Sequence, residues 1–162
     1  MRPLLVSIRI LGVLSLVSLA LCSPDHARAC SCLPPPSVGD ALAASEAVFT
    51  GRVIEVEVGD FGSAFHEKRV RLEVELVWKG DLSDVATVFT GTGDADCGID
   101  FRLDVDYLVY ADESGSLGVT RLSTYLCGRT ATADGNPDLG ELGPPITPTL
   151  QTSWGTVKLL WR

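Results

Sequence analysis

The clearest structural signal in the chain is an alternation of apolar and polar residues. Over residues 70–78 every second side chain is large and apolar, and most of the side chains between them are charged: Val70, Leu72, Val74, Leu76 and Trp78 alternate with Arg71, Glu73, Glu75 and Val77. A period of two is typical of a β-strand with one buried and one exposed face. Residues 70–78 are therefore predicted to form a strand.

The preceding apolar segment contains a slip in this alternation. Phe49, Gly51 and Val53 share one face, whereas Ile54 and the alternate residues after it continue on the other face. A slip of phase within one strand is typical of a β-bulge, which bends the strand. We predict a bulge near Val53 and Ile54 that allows the strand to join two sheets.

Three further strands are predicted at residues 84–90, 107–111 and 117–124, with a hairpin turn at 112–116. A helix of about nine residues is expected to begin after Ser37, because Asp40 follows at capping distance. No helical pattern separates the strands, which disfavours a parallel sheet. The predicted fold is mainly β: a five-stranded barrel of the oligonucleotide/oligosaccharide-binding (OB) kind, with short flanking helices and stapled by two disulfides.

The first 29 residues have the pattern of a secretory signal peptide. Arg2 and Arg9 flank the start of an apolar run at residues 10–21, and Ala27 and Ala29 supply the small residues that signal peptidase reads. The run is shorter than the roughly 20 residues that cross a bilayer, which disfavours a retained anchor. We expect cleavage after Ala29. A lipid-modified Cys22 is the alternative, disfavoured by the large residue before it.

Cleavage leaves 133 residues, enough for one domain. Loss of three arginines and one aspartate changes the net charge from −8 to −10, which disfavours nucleic acid and anionic lipid as partners. We expect a domain at residues 30–130 and a Pro/Gly-rich C-terminal extension at 131–162, in a secreted or periplasmic monomer. Within the extension, residues 138–142 are predicted to form a helical turn, and the apolar segment 154–161 to pack as an added strand or to be disordered.

Four cysteines remain after cleavage: Cys30, Cys32, Cys97 and Cys127. An even number in an exported chain indicates two disulfides. A Cys30–Cys32 bond would close a strained small ring and leave the N-terminus untethered; both other connectivities pin the N-terminal segment at two points. A zinc site is disfavoured, because no second cysteine pair has finger-like spacing.

Catalytic motifs are missing from the sequence, and we predict that the chain is not an enzyme. It lacks a His-Glu-x-x-His zinc motif and a Gly-x-Ser-x-Gly nucleophile motif. His66 is expected to be a solvated loop residue. A run of aspartates suggests calcium as an alternative to a solvated acidic loop, but its spacing does not fit an EF-hand: Asp94, Asp96, Asp100, Asp104 and Asp106.

Several features together resemble one family. Cys30-Ser31-Cys32 is followed by three prolines, residues 92–98 lead through Cys97 towards a strand, and Leu126-Cys127 follows another strand. This combination resembles the N-terminal domain of the tissue inhibitors of metalloproteinases, and most of all their bacterial relatives in the netrin-like group. The resemblance covers residues 30 to about 129, roughly three quarters of the mature chain.

The resemblance implies a function and a set of site residues. It implies disulfides Cys30–Cys97 and Cys32–Cys127, and an α-amine and carbonyl oxygen of Cys30 that chelate the zinc of a partner metalloendopeptidase. Ser31 would lie at the mouth of the specificity pocket. The other residues implied in contact with the protease cleft are Cys32, Leu33, Pro34, Asp94, Ala95 and Asp96. The chain would hold no metal or cofactor of its own.

The implied chemistry is plausible from first principles. A catalytic zinc has an open coordination position, and a neutral amine with an adjacent carbonyl forms a five-membered chelate that can occupy it. An α-amine is partly neutral at working pH. Unlike the animal inhibitors, this chain lacks cysteines for a third disulfide and for a second, cysteine-rich region. The alternative is a netrin-like module that binds a protein or polysaccharide without inhibiting a protease.

Overall fold

The computed structural model of the chain describes residues 30–63, 65–93, 96–116 and 119–148. The predicted leader, the Cys22 alternative and the apolar segment 154–161 lie outside these residues. Within the described residues no helix is long and apolar enough to cross a membrane.

Five strands form a closed ring, and their order differs from their order in the sequence. They are β1 (Ala47–Gly59), β2 (Glu67–Lys79), β3 (Val85–Thr90), β4 (Asp106–Ser116) and β5 (Val119–Ser123). The order around the ring is β1-β2-β3-β5-β4, and β4 pairs back onto β1. The β3–β5 pair is parallel and the others are antiparallel. The mainly β fold with five strands, two short helices and two disulfides is confirmed.

The interior of the ring is filled by the apolar face of each long strand. Phe49, Val53, Leu72, Val88 and Val109 are all fully shielded from solvent at its centre. Leu72 alternates with charged side chains, as the period of two predicts, whereas the central parts of β1 and β4 are buried on both faces, with Val48 and Leu108 on the outer side.

The predicted bulge lies where β1 leaves one side of the ring. Its register with β2 shifts between Val53 and Glu55, so Ile54 has no partner in the ladder. Before this point, residues 48–52 pair with β2 on one side and β4 on the other; after it, β1 pairs only with β2. The predicted bulge near Val53 and Ile54 is confirmed, but β1 pairs with two neighbours in one continuous sheet and does not join two sheets.

Two short helices cover part of the outer face of the ring. The helices are α1 (Val38–Ala44) and α2 (Asp138–Leu142), and the Ser37 hydroxyl accepts from the Asp40 amide (3.1 Å), as predicted for the N-cap. Ala41 of α1 packs with Val48, Trp78 and Leu108 in a second apolar cluster. This cluster fixes the helices to the strands that carry the ring.

The predicted hairpin turn at residues 112–116 is wrong. These residues continue β4, and the pairing with β5 runs from Asp112 opposite Ser123 to Ser116 opposite Val119. Their polar composition suggested a turn, but ladder hydrogen bonds need only backbone groups, so a polar strand tip is satisfied at the solvent-exposed end of a hairpin.

Residues 131–148, the first part of the predicted C-terminal extension, pack against the ring. The short strands β6 (Ala131–Thr132) and β7 (Thr147–Pro148) pair with β4 and β2. The indole of Trp78 donates to the carbonyl of Gly143 (2.8 Å). The helical turn predicted at 138–142 is present as α2.

Leu72 offers a direct test of the core. We expect Leu72→Ala to lower the free energy of unfolding by about 3 kcal/mol, because it removes methyl groups from a fully buried position and leaves a cavity. The measurement is urea unfolding with both disulfides intact. Leu103→Ala is the matched control, because Leu103 is 60% exposed, and its effect should stay below about 0.5 kcal/mol. Equal losses in both variants would contradict this core.

Candidate functional site

Two disulfides attach the N-terminal segment to two different loops. Cys30 is bonded to Cys97 (Cα–Cα 5.6 Å), and Cys32 to Cys127 (Cα–Cα 5.1 Å). These are the pairs that the family resemblance implies, and they settle the choice that cysteine spacing alone left open. Since only Ser31 separates the tethered residues, the backbone of the segment is held at both ends of a three-residue unit.

The loop that carries Cys97 is closed by the carboxylate of Asp96. That carboxylate accepts from the Thr92 amide (2.7 Å), the Gly93 amide (2.8 Å) and the Thr92 hydroxyl (3.0 Å). The backbone donors of Gly93 and Thr92 hold the pKa of Asp96 below its usual range. Asp96 is exposed and next to the tethered Cys97, whereas the predicted contacts Asp94 and Ala95 lie outside the described residues.

Two glycines allow the base of this loop to close. The Gly91 and Gly98 backbones approach so closely that a Cβ on Gly98 would overlap the carbonyl oxygen of Gly91. Between them Cys97 has a left-handed backbone (φ 58°), which few non-glycine residues adopt. The Gly98 amide donates to the Gly93 carbonyl (2.9 Å). The loop is therefore compact, and it presents the Cys97 side chain in one direction.

The two disulfide-bearing loops are also bonded to each other. The Leu126 amide donates to the Cys97 carbonyl (2.8 Å). The loop that carries Cys97 is therefore joined directly to the loop that carries Cys127. Tyr125 and Leu126, which sequence reasoning did not select, are 47% and 48% exposed beside it. The only sequence signal for them was a pair of large apolar residues directly before a cysteine.

Pro36, which lies just before α1 at the end of the N-terminal segment, is held by a hydrogen bond in addition to the disulfides. Its carbonyl oxygen accepts from Arg129 (2.7 Å), whose guanidinium also pairs with the carboxylate of Asp138. Asp138 is buried and accepts from the Tyr110 hydroxyl (3.2 Å). Arg129 thus joins the segment to α2 and β4, and no spacing or motif in the sequence indicated this.

The charges of this cluster are consistent with one another. Hydrogen bonding from Arg129 holds the pKa of Asp138 below its usual range. Burial, together with the negative charge of Asp138, raises the pKa of Tyr110 to about 12. The aspartate is therefore ionised and the phenol neutral over the whole physiological range.

Between these anchors the segment is exposed. Ser31, Cys32 and Pro34 are exposed, and Leu33 is 85% exposed, whereas Cys30 is half-buried. The Leu33 side chain keeps most of its contact with water and can bury its apolar surface against a partner. The arrangement offers an extended strip of backbone and side chains held on a rigid base.

The remaining candidate residues have ordinary environments. Asp106 forms a two-bonded ion pair with Arg52 (2.8 Å for both bonds), and Asp100 lies 3.4 Å from Lys68. His66 is exposed in the loop between β1 and β2, 3.3 Å from Asp60. Among the described residues no group of three His, Cys, Asp or Glu side chains is placed to hold a metal ion.

Comparison with known protein families and with curated proteins found no family model and no protein that matches the chain.

Gly98 tests the loop geometry. We expect Gly98→Ala to lower the free energy of unfolding by about 2 kcal/mol or more and to slow formation of the Cys30–Cys97 disulfide, because the new Cβ overlaps the Gly91 backbone. Urea unfolding and mass-spectrometric disulfide mapping measure the two effects. Gly93→Ala is the matched control in the same loop, since a Cβ there meets no atom within 4 Å. A neutral Gly98→Ala would contradict the close approach.

The pH dependence of stability tests the Arg129–Asp138–Tyr110 cluster. The pKa of Tyr110 is raised from about 10 in the unfolded chain to about 12 in the folded protein. The contribution of this shift to the free energy of unfolding is therefore fully present below pH 10 and is lost as the pH rises from about 10 through about 12. We expect urea unfolding to show this loss in the wild type and a smaller loss in Tyr110→Phe. An absorbance titration of the phenols should lose its most alkaline step in the same variant; an unchanged titration would contradict the assignment.

Proposed function

We propose that this protein is a secreted inhibitor of zinc metalloendopeptidases, and that it acts through the N-terminal segment beginning at Cys30. In this mechanism the mature chain starts at Cys30. Its α-amine and carbonyl oxygen then occupy the open coordination position of the protease zinc, displacing the bound water. The chain contributes the chelating atoms, and the zinc belongs to the protease.

The observation that carries the proposal is the double anchoring of an exposed segment. Cys30 and Cys32 are bonded to two loops, and these loops are hydrogen-bonded to each other. Ser31, between the two cysteines, and Leu33, after them, are exposed and do not pack into the core. Structural disulfides need not leave their own segment exposed. This geometry supports a segment ordered in advance for insertion into a cleft, because pre-ordering reduces the entropy lost on binding.

The surroundings of the segment supply the further contacts that the proposal needs. Ser31 is small and follows the chelating residue directly, so it would lie at the mouth of the primary specificity pocket. Leu33 and Pro34 would extend along the cleft, and Asp96 would lie beside them with Asp94 and Ala95. Cys32 contributes its backbone, since its sulfur is used in the bond to Cys127.

The fold is compatible with the family on which this proposal rests. A ring of five strands with a bulged β1, closed by pairing of β4 with β1, fits the OB barrel of a netrin-like domain. The two disulfides fit the same assignment. Fold alone does not define function, so the proposal depends on the segment and not on the ring.

A second candidate function is supported by a separate surface. Phe61 and Phe89 lie 6.0 Å apart, with Arg69 4.5 Å above the first ring and Arg121 4.6 Å above the second. The Nε of Arg69 is buried without a hydrogen-bond partner among the described residues. Aromatic rings alternating with guanidinium groups favour a netrin-like module that binds a protein or polysaccharide, with no role for the terminal amine.

An N-terminal extension distinguishes the two candidates. We expect the chain beginning at Cys30 to inhibit members of a panel of zinc endopeptidases, and one alanine added before Cys30 to weaken inhibition at least about a hundredfold, or about 2.7 kcal/mol. The added residue converts the amine into an amide, which is a poor zinc ligand. Inhibition constants are measured for both forms, with equal unfolding free energies as the folding check.

The matched control is the extended chain after an aminopeptidase has removed the alanine, which should restore inhibition. Equal inhibition by the extended and unextended forms would overturn the chelate mechanism. A folded chain that inhibits in neither form would leave the Phe61 and Phe89 surface as the site to test.

A further inference from the structure

A groove lies on the outer face of the ring, next to the area that the helices cover. It has a volume of about 730 Å³ and lies between β1 and β2 on one side and β6 and α2 on the other. Thr50, Leu76 and Leu139 contribute to its lining. It is open to solvent, so a segment of peptide can enter it.

The floor of the groove combines apolar surface with a buried polar atom. Leu76 is 37% exposed, although the neighbouring Leu108 on the same face is fully buried. Thr50 is 4% exposed, and its hydroxyl has no hydrogen-bond partner among the described residues. A buried hydroxyl without a partner has a free-energy cost that a bound backbone or side-chain group would relieve.

The rim of the groove is acidic. Asp104 and Asp134 are exposed there, and Glu75 lines one wall. Asp106 also contributes; it pairs with Arg52, whose positive charge also acts on Glu75 and Asp104. An occupant with apolar side chains and positive charges would therefore match both the floor and the rim.

The described chain ends beside this groove. In β7, Pro148 pairs with Leu76, which lines the groove. Beyond Leu76 this edge of β2 is occupied, because the Val74 amide donates to the Asp84 carbonyl (2.8 Å) and β3 begins opposite Glu73. Pro148, the last described residue, therefore lies at an edge of the sheet beside the groove.

Residues 149–162 have the composition that this groove would accept. They include Trp154, Leu159, Leu160 and Trp161, together with Lys158 and Arg162, and contain no acidic residue. We propose that residues 149–162 dock in the groove of their own chain, with apolar side chains over Leu76 and cations towards the acidic rim. This inference is independent of the protease-inhibitor function.

Trypsin cleavage after Lys158 tests the docking in the mature chain. We expect cleavage to be at least about tenfold slower than in a synthetic peptide of residues 149–162, because a docked segment must detach before the protease can bind it. Leu76→Gln should remove most of this protection by making the floor polar. Val58→Gln is the matched control: Val58 is 61% exposed and lies on β1 beyond the bulge, outside the residues that line the groove.

A double variant, Asp104→Asn with Asp134→Asn, provides a second test if Leu76→Gln fails to fold. Both of its side chains are exposed, so it should fold as the wild type does. It should accelerate cleavage after Lys158, and added salt should accelerate it in the wild type. A chain ending at Pro148 should bind the 149–162 peptide, and Leu76→Gln should weaken that binding. Cleavage as fast as in the free peptide would overturn the proposal. Protection that disappears on dilution would also overturn it, since the occupant would then be a second copy.

Discussion

The proposed site depends on one constraint, the covalent attachment of a segment without secondary structure to two loops. Residues 30–37 form no helix or strand, and nearly all of their side chains are exposed. Burial therefore cannot order them, and the backbone entropy of such a segment would normally keep it mobile. The Cys30–Cys97 and Cys32–Cys127 bonds replace packing as the source of order. The residues to which this segment is attached are held in place by the ring, by the close approach of Gly91 and Gly98, and by the bond from Arg129 to Pro36.

The strand β2 could be predicted, because over residues 70–74 it buries one face and exposes the charged side chains of the other. The alternation around Leu72 predicted β2, and the slip of phase after Val53 predicted the bulge at which β1 stops pairing with β4. The polar tip of the β4–β5 hairpin was misread as a turn, since strand tips in solvent need no apolar alternation. The strand order could not be derived from periodicity, because it depends on contacts between residues distant in sequence.

The candidate site was predicted less evenly. A cysteine count leaves connectivity open, so the pairing came from resemblance to a family, whose other implications for this chain stay predictions. The Arg129–Asp138–Tyr110 cluster could not have been found in advance, because its members are separated in sequence and each has the usual appearance of a surface or core residue. Gly91 and Gly98 look like ordinary loop glycines, and only the approach of their backbones shows why a side chain would not fit at Gly98.

The spacing of the disulfides also has a consequence for synthesis. Their partners are separated by 67 and 95 residues, whereas Cys30 and Cys32 are neighbours. As the chain emerges from its N-terminus, the first two cysteines are exposed together long before Cys127 is made. Early oxidation would join the wrong pair, and the native bonds would then require thiol exchange with a later thiol. The Cys32–Cys127 bond can therefore form only after the whole of β4 and β5 has been synthesised.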